Sequence, residues 1–314
     1  MNHFGYLVIF GLLLLLLFGG ILWAQKPKLT LLPGDQQGSI VHQGIRRHFL
    51  IHIPEKLARE KGLPLIFVLH GGGGTPLTVA KLTGFSQLGD SAGFIVVYPQ
   101  AVNRHWNDGR AVKGFRSQRQ GVDDVGFIAA LIDTMVARFA VDRHRVYAAG
   151  ISNGGMMCLR LGCELSFRLA AIASVAAALP EKLARESKPV APISVLMING
   201  TEDPVVPYQG GGVGLFAKRG RVISVEKTVD FWVKNNGCTA KPVATEPVNN
   251  ELGRVKKRVY SGGRDGSEVV LYTIEGGGHI WPGGERRPSH FGTYSQDINA
   301  TRVIWEFFQH RRRF

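Results

Sequence analysis

The chain has 314 residues, of which 45% are hydrophobic and 20% are charged, and this composition excludes a globally disordered protein. The 38 basic and 24 acidic residues give a net charge of +14, which is compatible with a nucleic acid, an anionic surface or an acidic polymer as partner. Because the basic residues are scattered and no nucleic-acid-binding motif is present, we interpret the charge as a solvated basic surface and expect no nucleic acid to bind.

The chain begins with an almost purely apolar run, residues 4–24, that contains no charged residue. A run of this length is typical of a signal peptide or of a single membrane span, which needs about 20 residues. We therefore predict a signal peptide or membrane anchor over residues 1–24 and a linker over residues 25–38. Residues 39–314 are predicted to form one exported domain, secreted or periplasmic. If residues 4–24 are not cleaved, they would attach the protein to the membrane. We expect a monomer.

Strand and helix patterns alternate through the rest of the chain. Residues 45–53 alternate in polarity like an outer antiparallel strand. Short apolar runs that are typical of buried strands cover residues 65–70, 94–98, 145–149, 169–176 and 193–199. Helical patterns cover residues 124–140, 154–162, 224–236 and 298–310. This alternation predicts an α/β fold with a mostly parallel central sheet and helices on both faces.

The segment Gly150-Ile151-Ser152-Asn153-Gly154 fits the pattern Gly-x-Ser-x-Gly and lies between a predicted strand and a predicted helix. Small residues at both ends allow a sharp turn, which places the serine hydroxyl above the end of the sheet and the helix N-terminus beneath it. The pentapeptide alone is weak, because glycine-rich turns with serine are common. In this strand–turn–helix context we favour a nucleophile over a structural turn.

Four glycines, Gly71–Gly74, follow His70 directly after the strand at residues 65–70. Successive glycines let main-chain N–H groups converge on one cavity, as an oxyanion hole requires, and the N–H of Asn153 would complete it. A phosphate-binding loop is the competing interpretation. The segment lacks the lysine of a P-loop and the spacing of a dinucleotide-binding turn, which favours the oxyanion hole.

Two further polar segments follow predicted strands. Glu202 and Asp203 come after residues 193–199, where a sheet hydrolase holds the carboxylate that orients its base, although a turn aspartate is equally common there. His279 lies among glycines after the strand-like residues 268–274. The order Ser152, Asp203, His279 is the chain order of α/β-hydrolase triads.

At these residues the sequence resembles the extracellular polyhydroxybutyrate depolymerase and feruloyl esterase family of α/β hydrolases. The motifs that carry the resemblance are HGGGG (70–74), WNDGR (106–110), VDDVGFI (122–128), GISNGGMM (150–157), GTEDPVVPY (200–208) and GGGHIWPGG (276–284). The resemblance spans about residues 38–310. It implies ester hydrolysis through Ser152, Asp203 and His279, with Gly72 as the upstream oxyanion donor, and no metal or organic cofactor.

The resemblance also concerns the cysteines. Cys238 matches a family position that is often paired with a cysteine before the last strand, but the corresponding segment here, residues 260–263, contains none. We therefore expect that bridge to be absent unless Cys158 or Cys163 substitutes. The chain has no Cys-x-x-Cys pair, so we expect no structural metal site.

The sequence indicates the substrate less clearly than it indicates the catalytic residues. Trp106 and Trp281 are candidate walls for an apolar acyl or aromatic group, and plain core packing explains them equally well. We expect no separate polymer-binding domain after residue 310, so a polysaccharide-linked or soluble ester fits as well as a solid polyester. The rival functions are a serine peptidase on the same fold and a secreted binding protein without catalysis.

Overall fold

A mostly parallel sheet of ten strands runs through the part of the chain that the structure describes. The structure is a computed structural model and describes residues 34–55, 62–139, 141–247, 254–286 and 288–313. The predicted signal peptide or anchor, residues 1–24, lies outside these residues. Among the described helices, none is long and apolar enough to cross a membrane.

The sheet is parallel in its centre and antiparallel at both edges. Its strands are β1 Asp35–His42, β2 Ile45–His52, β3 Leu63–Leu69, β4 Ile95–Pro99, β5 Val141–Ile151, β6 Ala171–Val175, β7 Ser194–Gly200, β10 Ala244–Pro247, β11 Val255–Tyr260 and β12 Val269–Ile274. Their order in the sheet is β1-β2-β4-β3-β5-β6-β7-β12-β11-β10, and the six strands from β4 to β12 run parallel. Two short strands, β8 Gly211–Gly212 and β9 Arg221–Val222, form a separate hairpin.

Helices cover both faces of the sheet, as the alternating pattern predicted. They are α1 Pro76–Thr83, α2 Phe85–Ala92, α3 Arg116–Arg119, α4 Asp124–Arg138, α5 Asn153–Glu164, α6 Glu181–Glu186, α7 Val225–Asn236 and α8 Ala300–Phe308. One apolar core joins the sheet to α4, α5 and α7 through side chains such as Leu131, Met156 and Trp232. The other joins the opposite face to α2 and α8 through Phe85 and Phe308.

Strand β1 begins at Asp35, inside the segment 25–38 that the sequence predicts as a linker. Asp35 to His42 pair in antiparallel register with β2 along their whole length. The Asp35 carboxylate also lies 2.8 Å from Nδ1 of the buried His52. These polar residues have little intrinsic strand character, and pairing with β2 makes them a strand.

The three cysteines are free. Cys158 and Cys163 are buried, and burial raises the pKa of Cys163 to about 12. Cys238 faces Gly263, since a β-carbon there would lie 2.8 Å from its sulfur. Glycine therefore occupies the place opposite Cys238 where a bridging partner would stand.

The parallel strands β5, β7 and β12 determine where the site can form. Their carboxyl ends lie at one edge of the sheet, and Ser152, Asp203 and His279 follow these three ends. Open α/β sheets build their ligand sites at this edge.

Candidate active site

Ser152 occupies a sharp turn between β5 and α5. Its backbone angles, φ 59° and ψ −122°, are ones that a residue with a β-carbon adopts only under constraint. The flanking glycines make the turn possible: a β-carbon on Gly154 would lie 2.2 Å from the carbonyl oxygen of Leu69, and one on Gly150 would lie 2.6 Å from Gly154. Ser152 itself is half-buried, so a ligand in the adjacent space can reach it.

Asp203 and His279 form a buried hydrogen-bonded pair. Asp203 Oδ2 lies 2.7 Å from His279 Nδ1, and Asp203 Oδ1 accepts bonds from the N–H groups of Val205 and Val206 at 2.7 and 2.8 Å. The carboxylate is thus held from both sides, and it holds the ring with Nε2 directed away from it. Glu202, the other acid that the sequence left open, is exposed.

Close backbone contacts bring the loops of this pair together. A β-carbon on Gly200, the last residue of β7, would lie 2.1 Å from the carbonyl oxygen of Gly277. The same carbonyl accepts a bond from the N–H of Glu202 at 3.0 Å, and the N–H of His279 donates to Phe291 at 2.6 Å. The glycine-rich sequence before His279 therefore lets its loop pass directly beside the loop of Asp203.

Ser152 lies at the same edge of the sheet as this pair, but no hydrogen bond joins it to His279 within the described residues. Such bonds are often long in enzymes without substrate and tighten in the reacting complex. The structure thus brings Asp203 and His279 into direct contact. It places Ser152 at the carboxyl end of β5, which is two positions from β7 and three from β12 in the sheet.

The glycine loop lies beside the serine turn, since a β-carbon on Gly71 would lie 3.5 Å from that of Ser152. The carbonyl of Gly71 accepts from the N–H of Gly74 at 2.9 Å and lies 2.8 Å from His70 Nδ1. A trans peptide points its N–H opposite to its carbonyl, so fixing this carbonyl also fixes the N–H of Gly72. A β-carbon on Gly72 would lie 3.9 Å from that of Asn153. The Asn153 N–H, at the first position of α5, lacks an intrahelical acceptor.

The uncharged ring of His70 lies beneath this loop and forms hydrogen bonds through both of its nitrogens. Its Nε2 accepts a bond from the N–H of Ala101 at 3.1 Å, which leaves the proton on Nδ1 to be donated to Gly71. Burial is the main reason why the pKa of His70 is lowered to about 4. A neutral ring at physiological pH can both donate and accept, as this position requires.

A buried polar network holds the side chain of Asn153. Asn153 Nδ2 donates to Asp108 Oδ2 at 2.6 Å, and its Oδ1 accepts from the N–H of Trp106 at 2.8 Å. Asp108 is fully buried, and it also accepts bonds from Arg110 at 2.8 Å and from Gln118 at 2.9 Å. Sequence reasoning assigned no role to Asp108, although an acid two residues after Trp106 in the WNDGR motif was a usable signal.

Neither tryptophan offers surface to a substrate. Trp106 is 0% exposed and donates its indole N–H to the carbonyl of His70 at 2.9 Å. Trp281 is 1% exposed and donates to Thr301 Oγ1 at 2.9 Å. The structure therefore favours the packing explanation for both residues over the predicted substrate walls.

A cleft of about 420 Å³ adjoins the glycine loop, a size typical of small-molecule sites. Val79, Leu82 and Ile151 form an apolar part of its wall, and Glu285 and Arg286 add charges. Sequence reasoning missed these residues because they come from three separate segments. Elsewhere, no cluster of three or more His, Cys, Asp or Glu side chains in the described residues is arranged to hold a metal ion.

Comparison with known proteins gives a consistent result. Residues 48–205 match the family model described as Esterase PHB depolymerase. NocK of Nocardia uniformis subsp. tsuyamanensis, which is provisionally named an esterase, is 32% identical over 85% of this chain and 80% of its own length. Feruloyl esterase B of Piromyces equi is 30% identical over 74% of this chain, and the match spans 42% of that protein.

Among solved structures, an acetyl xylan esterase from Aspergillus awamori superposes with a TM-score of 0.59 at 13% identity. The superposition covers 87% of this chain and 99% of that one. At this level of identity the likeness concerns the fold.

Proposed function

Because this chain belongs to the esterase PHB depolymerase family and is a carboxylic ester hydrolase with the predicted α/β-hydrolase fold, we propose that it works through an acyl-enzyme on Ser152. The observation that carries the proposal is the buried Asp203–His279 pair at the sheet edge where the constrained Ser152 turn lies. A nucleophile, a base and a group that orients the base are the three parts that such chemistry needs.

In the proposed mechanism His279 Nε2 takes the proton of Ser152 as its Oγ attacks the ester carbonyl carbon. Asp203 keeps the other ring nitrogen protonated and stabilises the imidazolium that forms. The N–H groups of Gly72 and Asn153 donate to the oxyanion of the tetrahedral intermediate. Its collapse expels the alcohol, which takes the proton from His279. Water then attacks the acyl-serine by the same steps and releases the acid.

We further propose a polysaccharide-linked ester, with an acetyl or hydroxycinnamoyl group as the acyl part. One support is the relative that is named a feruloyl esterase. The other is the cleft of about 420 Å³ beside the glycine loop, because it has room for either acyl group and its wall is partly apolar. The apolar run at residues 4–24 supports export, which such a substrate requires.

The proposal is tested with a fluorophosphonate probe and a panel of esters. Labelling should be confined to Ser152 and should disappear in Ser152→Ala. The panel contains p-nitrophenyl acetate to octanoate, methyl ferulate, acetylated xylan and hydroxybutyrate oligomers, and we expect the highest kcat/KM on methyl ferulate or acetylated xylan. Labelling elsewhere would contradict the role of Ser152, and preference for hydroxybutyrate oligomers would contradict the choice of substrate.

A further inference from the structure

The basic runs that stand out in the sequence are largely compensated in the structure. Residues 254–258 and 311–313 contain the densest groups of arginine and lysine. Their ion pairs are Arg254–Asp297, Lys256–Glu275, Arg258–Glu226, Arg311–Glu268 and Arg312–Asp142. The positive charge that is not compensated by carboxylates must therefore lie mainly at other places on the surface.

One such place is formed by two segments, residues 102–121 and 211–220. We call their exposed basic side chains the cationic rim. It consists of Arg104, Lys113, Arg116, Arg119, Lys218 and Arg219. None of the six forms an ion pair with a carboxylate of the described residues. The segments contain a single acid, Asp108, which is fully buried and bonded to Arg110, so nothing on their own surface offsets the positive charge.

The two segments touch each other and the glycine loop. Arg110 donates to the carbonyl of Arg219 at 2.7 Å, which ties the hairpin between β8 and β9 to residues 102–121. The ring of His105 stacks on Phe115 with a centroid distance of 4.1 Å. That ring is so close to Gly72 that a β-carbon there would come within 3.2 Å of it. The cationic rim thus begins at the proposed oxyanion hole.

Two details support the position of the cationic rim beside the site. The N–H of Gly73 donates to the carbonyl of Arg104 at 2.8 Å, so the first member of the rim is bonded to the glycine loop. Burial lowers the pKa of His105, and the positive charges of Arg219 and Arg110 lower it further. The field of the rim therefore reaches a side chain that borders the site.

We propose that the cationic rim binds the carboxylates of an acidic, uronate-bearing polysaccharide that carries the ester, an inference that rests on the proposed function. A polymer with repeated carboxylates can meet several of the six cations at once while one of its esters occupies the serine site. A small neutral ester has no carboxylate and cannot make these contacts. Surface charges act over about 8 Å at physiological salt, so an extended row of cations recognises an extended anion.

An anionic membrane is a different partner for the same charge, and the surface favours it less. The hairpin tip exposes Leu215 and Phe216, at 62% and 83%. Two apolar side chains are too few for stable insertion, which needs a large buried apolar face. Six cations beside a site for ester hydrolysis fit a substrate better than an anchor.

The experiment compares two triple variants of the full protein with equal net charge. The rim variant is Lys113→Ser/Arg116→Ser/Lys218→Ser. The control variant is Lys188→Ser/Lys234→Ser/Lys241→Ser, which removes three exposed lysines without ion pairs to described residues. These lysines lie toward the amino ends of the parallel strands, because Asn236 at the end of α7 bonds to Ile193 just before β7.

The substrates are an acetylated glucuronoxylan, the same polymer with its carboxylates reduced to alcohols before acetylation, and p-nitrophenyl acetate. At low salt the rim variant should lose about tenfold in kcat/KM on the acidic polymer, and the loss should vanish at about 0.5 M salt. It should keep its rate on the reduced polymer and on p-nitrophenyl acetate, and the control variant should resemble the unmodified protein on all three.

Three results would overturn the inference. Equal losses in the rim and control variants would show that only net charge matters. Equal losses on the acidic and reduced polymers would show that the rim does not recognise carboxylates. Rim-dependent binding to phosphatidylserine vesicles, with unchanged polymer kinetics, would assign the surface to a membrane. Failure of the proposed function is a separate result, since the unmodified protein would then leave p-nitrophenyl acetate intact.

Discussion

Ser152 has unfavourable backbone angles that its neighbours maintain. Its N–H donates to the carbonyl of Val175 at 2.9 Å, and its carbonyl accepts from the N–H of Met156 at 2.8 Å. These bonds come from β6 and α5, so the strand and the helix on either side hold the turn. Strain of this kind costs about 1–3 kcal/mol and persists only where the surrounding structure enforces it.

If Ser152 and His279 act as one unit, Ser152→Ala and His279→Ala should each lower kcat on p-nitrophenyl acetate by about 10⁴- to 10⁶-fold. The double variant should be hardly slower than either single one. Steady-state kinetics on the three proteins checks this, and losses that multiply would show that the residues act separately.

The acid is tested in the same assay. Asp203→Asn should reduce kcat, though less than loss of the serine. Because Oδ1 accepts two backbone N–H groups, the amide NH2 would face His279 Nδ1, shift the ring proton to Nε2 and supply no charge to stabilise the imidazolium. Glu202→Gln is the matched control, since Glu202 is exposed and its neighbour bonds to His279. A larger loss in Glu202→Gln would reverse the assignment.

His70 should make the folded protein less stable as the pH falls. Its pKa is lowered from 6.5 to about 4, so below pH 6.5 the unfolded chain binds a proton that the folded chain refuses. This penalty is absent above pH 6.5, grows as the pH falls and levels off near pH 4. Between pH 7 and pH 5 it amounts to about 2 kcal/mol.

Urea unfolding at these two pH values, for the unmodified protein and for His70→Gln, measures this effect. The glutamine variant should be less stable at pH 7 because it cannot keep both hydrogen bonds of the ring. Its loss between pH 7 and pH 5 should nevertheless be smaller by about 2 kcal/mol. Parallel pH dependence in the two proteins would contradict the assignment to His70.

Among the elements, α5 and the segment before α4 depend on each other. Helix α5 provides the Asn153 N–H, while Asp108 and Trp106 hold the Asn153 side chain from outside the helix. Asp108 accepts every bond it makes here, from Asn153, Arg110 and Gln118. The position of the proposed oxyanion donor is therefore set by a network that no single element contains.

Replacing Asp108 with asparagine should disturb both stability and catalysis. The new amide group would face donors, and the Arg110 charge would lose its partner, which costs about 3–5 kcal/mol for a buried pair. A displaced Asn153 should lower kcat/KM on p-nitrophenyl acetate by about 10- to 100-fold in the fraction that remains folded.

The control is Asp123→Asn, because Asp123 caps α4 by accepting from the N–H of Gly126 at 2.8 Å. Asparagine caps helices as well as aspartate does, so only the partly exposed pair of Asp123 with His42, at 2.9 Å, would lose its charge. This variant should therefore keep its rate and lose no more than about 1 kcal/mol of stability. Urea unfolding and ester kinetics on both variants give the comparison. An Asp108→Asn protein that matched the control would show that the network does not position Asn153.

On the scale of the whole molecule, the fold separates the site from the ion pairs of the C-terminal arginines. Ser152, Asp203 and His279 follow the carboxyl ends of β5, β7 and β12. Arg311 pairs with Glu268 directly before β12, and Arg312 pairs with Asp142, the second residue of β5. Both ion pairs therefore lie at the amino ends of the strands. The C-terminal ion pairs and the proposed site thus lie at opposite ends of the parallel strands.

Export is a property of the whole chain and rests on residues 4–24. Fractionation of cells that produce the full protein should place it outside the cytoplasm or on the membrane with its body outside. Protease applied to intact spheroplasts should then digest the body, since no membrane would shield it. Full protection, with digestion only after lysis, would contradict export.

The sequence by itself determined the central strands, the main helices and the identities of the proposed catalytic residues. Apolar runs became β3 to β7 because a parallel strand covered on both faces must be apolar along its length. The serine turn was visible because glycines must stand where backbones pass closely, as at Gly150 and Gly154. These are local requirements, and local sequence expresses them.

Only the tertiary structure decided the rest. Pairing with β2 made a strand of the mostly polar segment Asp35–His42. Packing buried Trp106 and Trp281 in the core, so neither side chain lines the cleft. The tertiary structure brought Asp203, and not Glu202, into contact with His279, and it gathered the cationic rim from two segments about a hundred residues apart. Except in the β1–β2 hairpin, the deciding contacts join residues far apart in the chain, so neither composition nor spacing could reveal them.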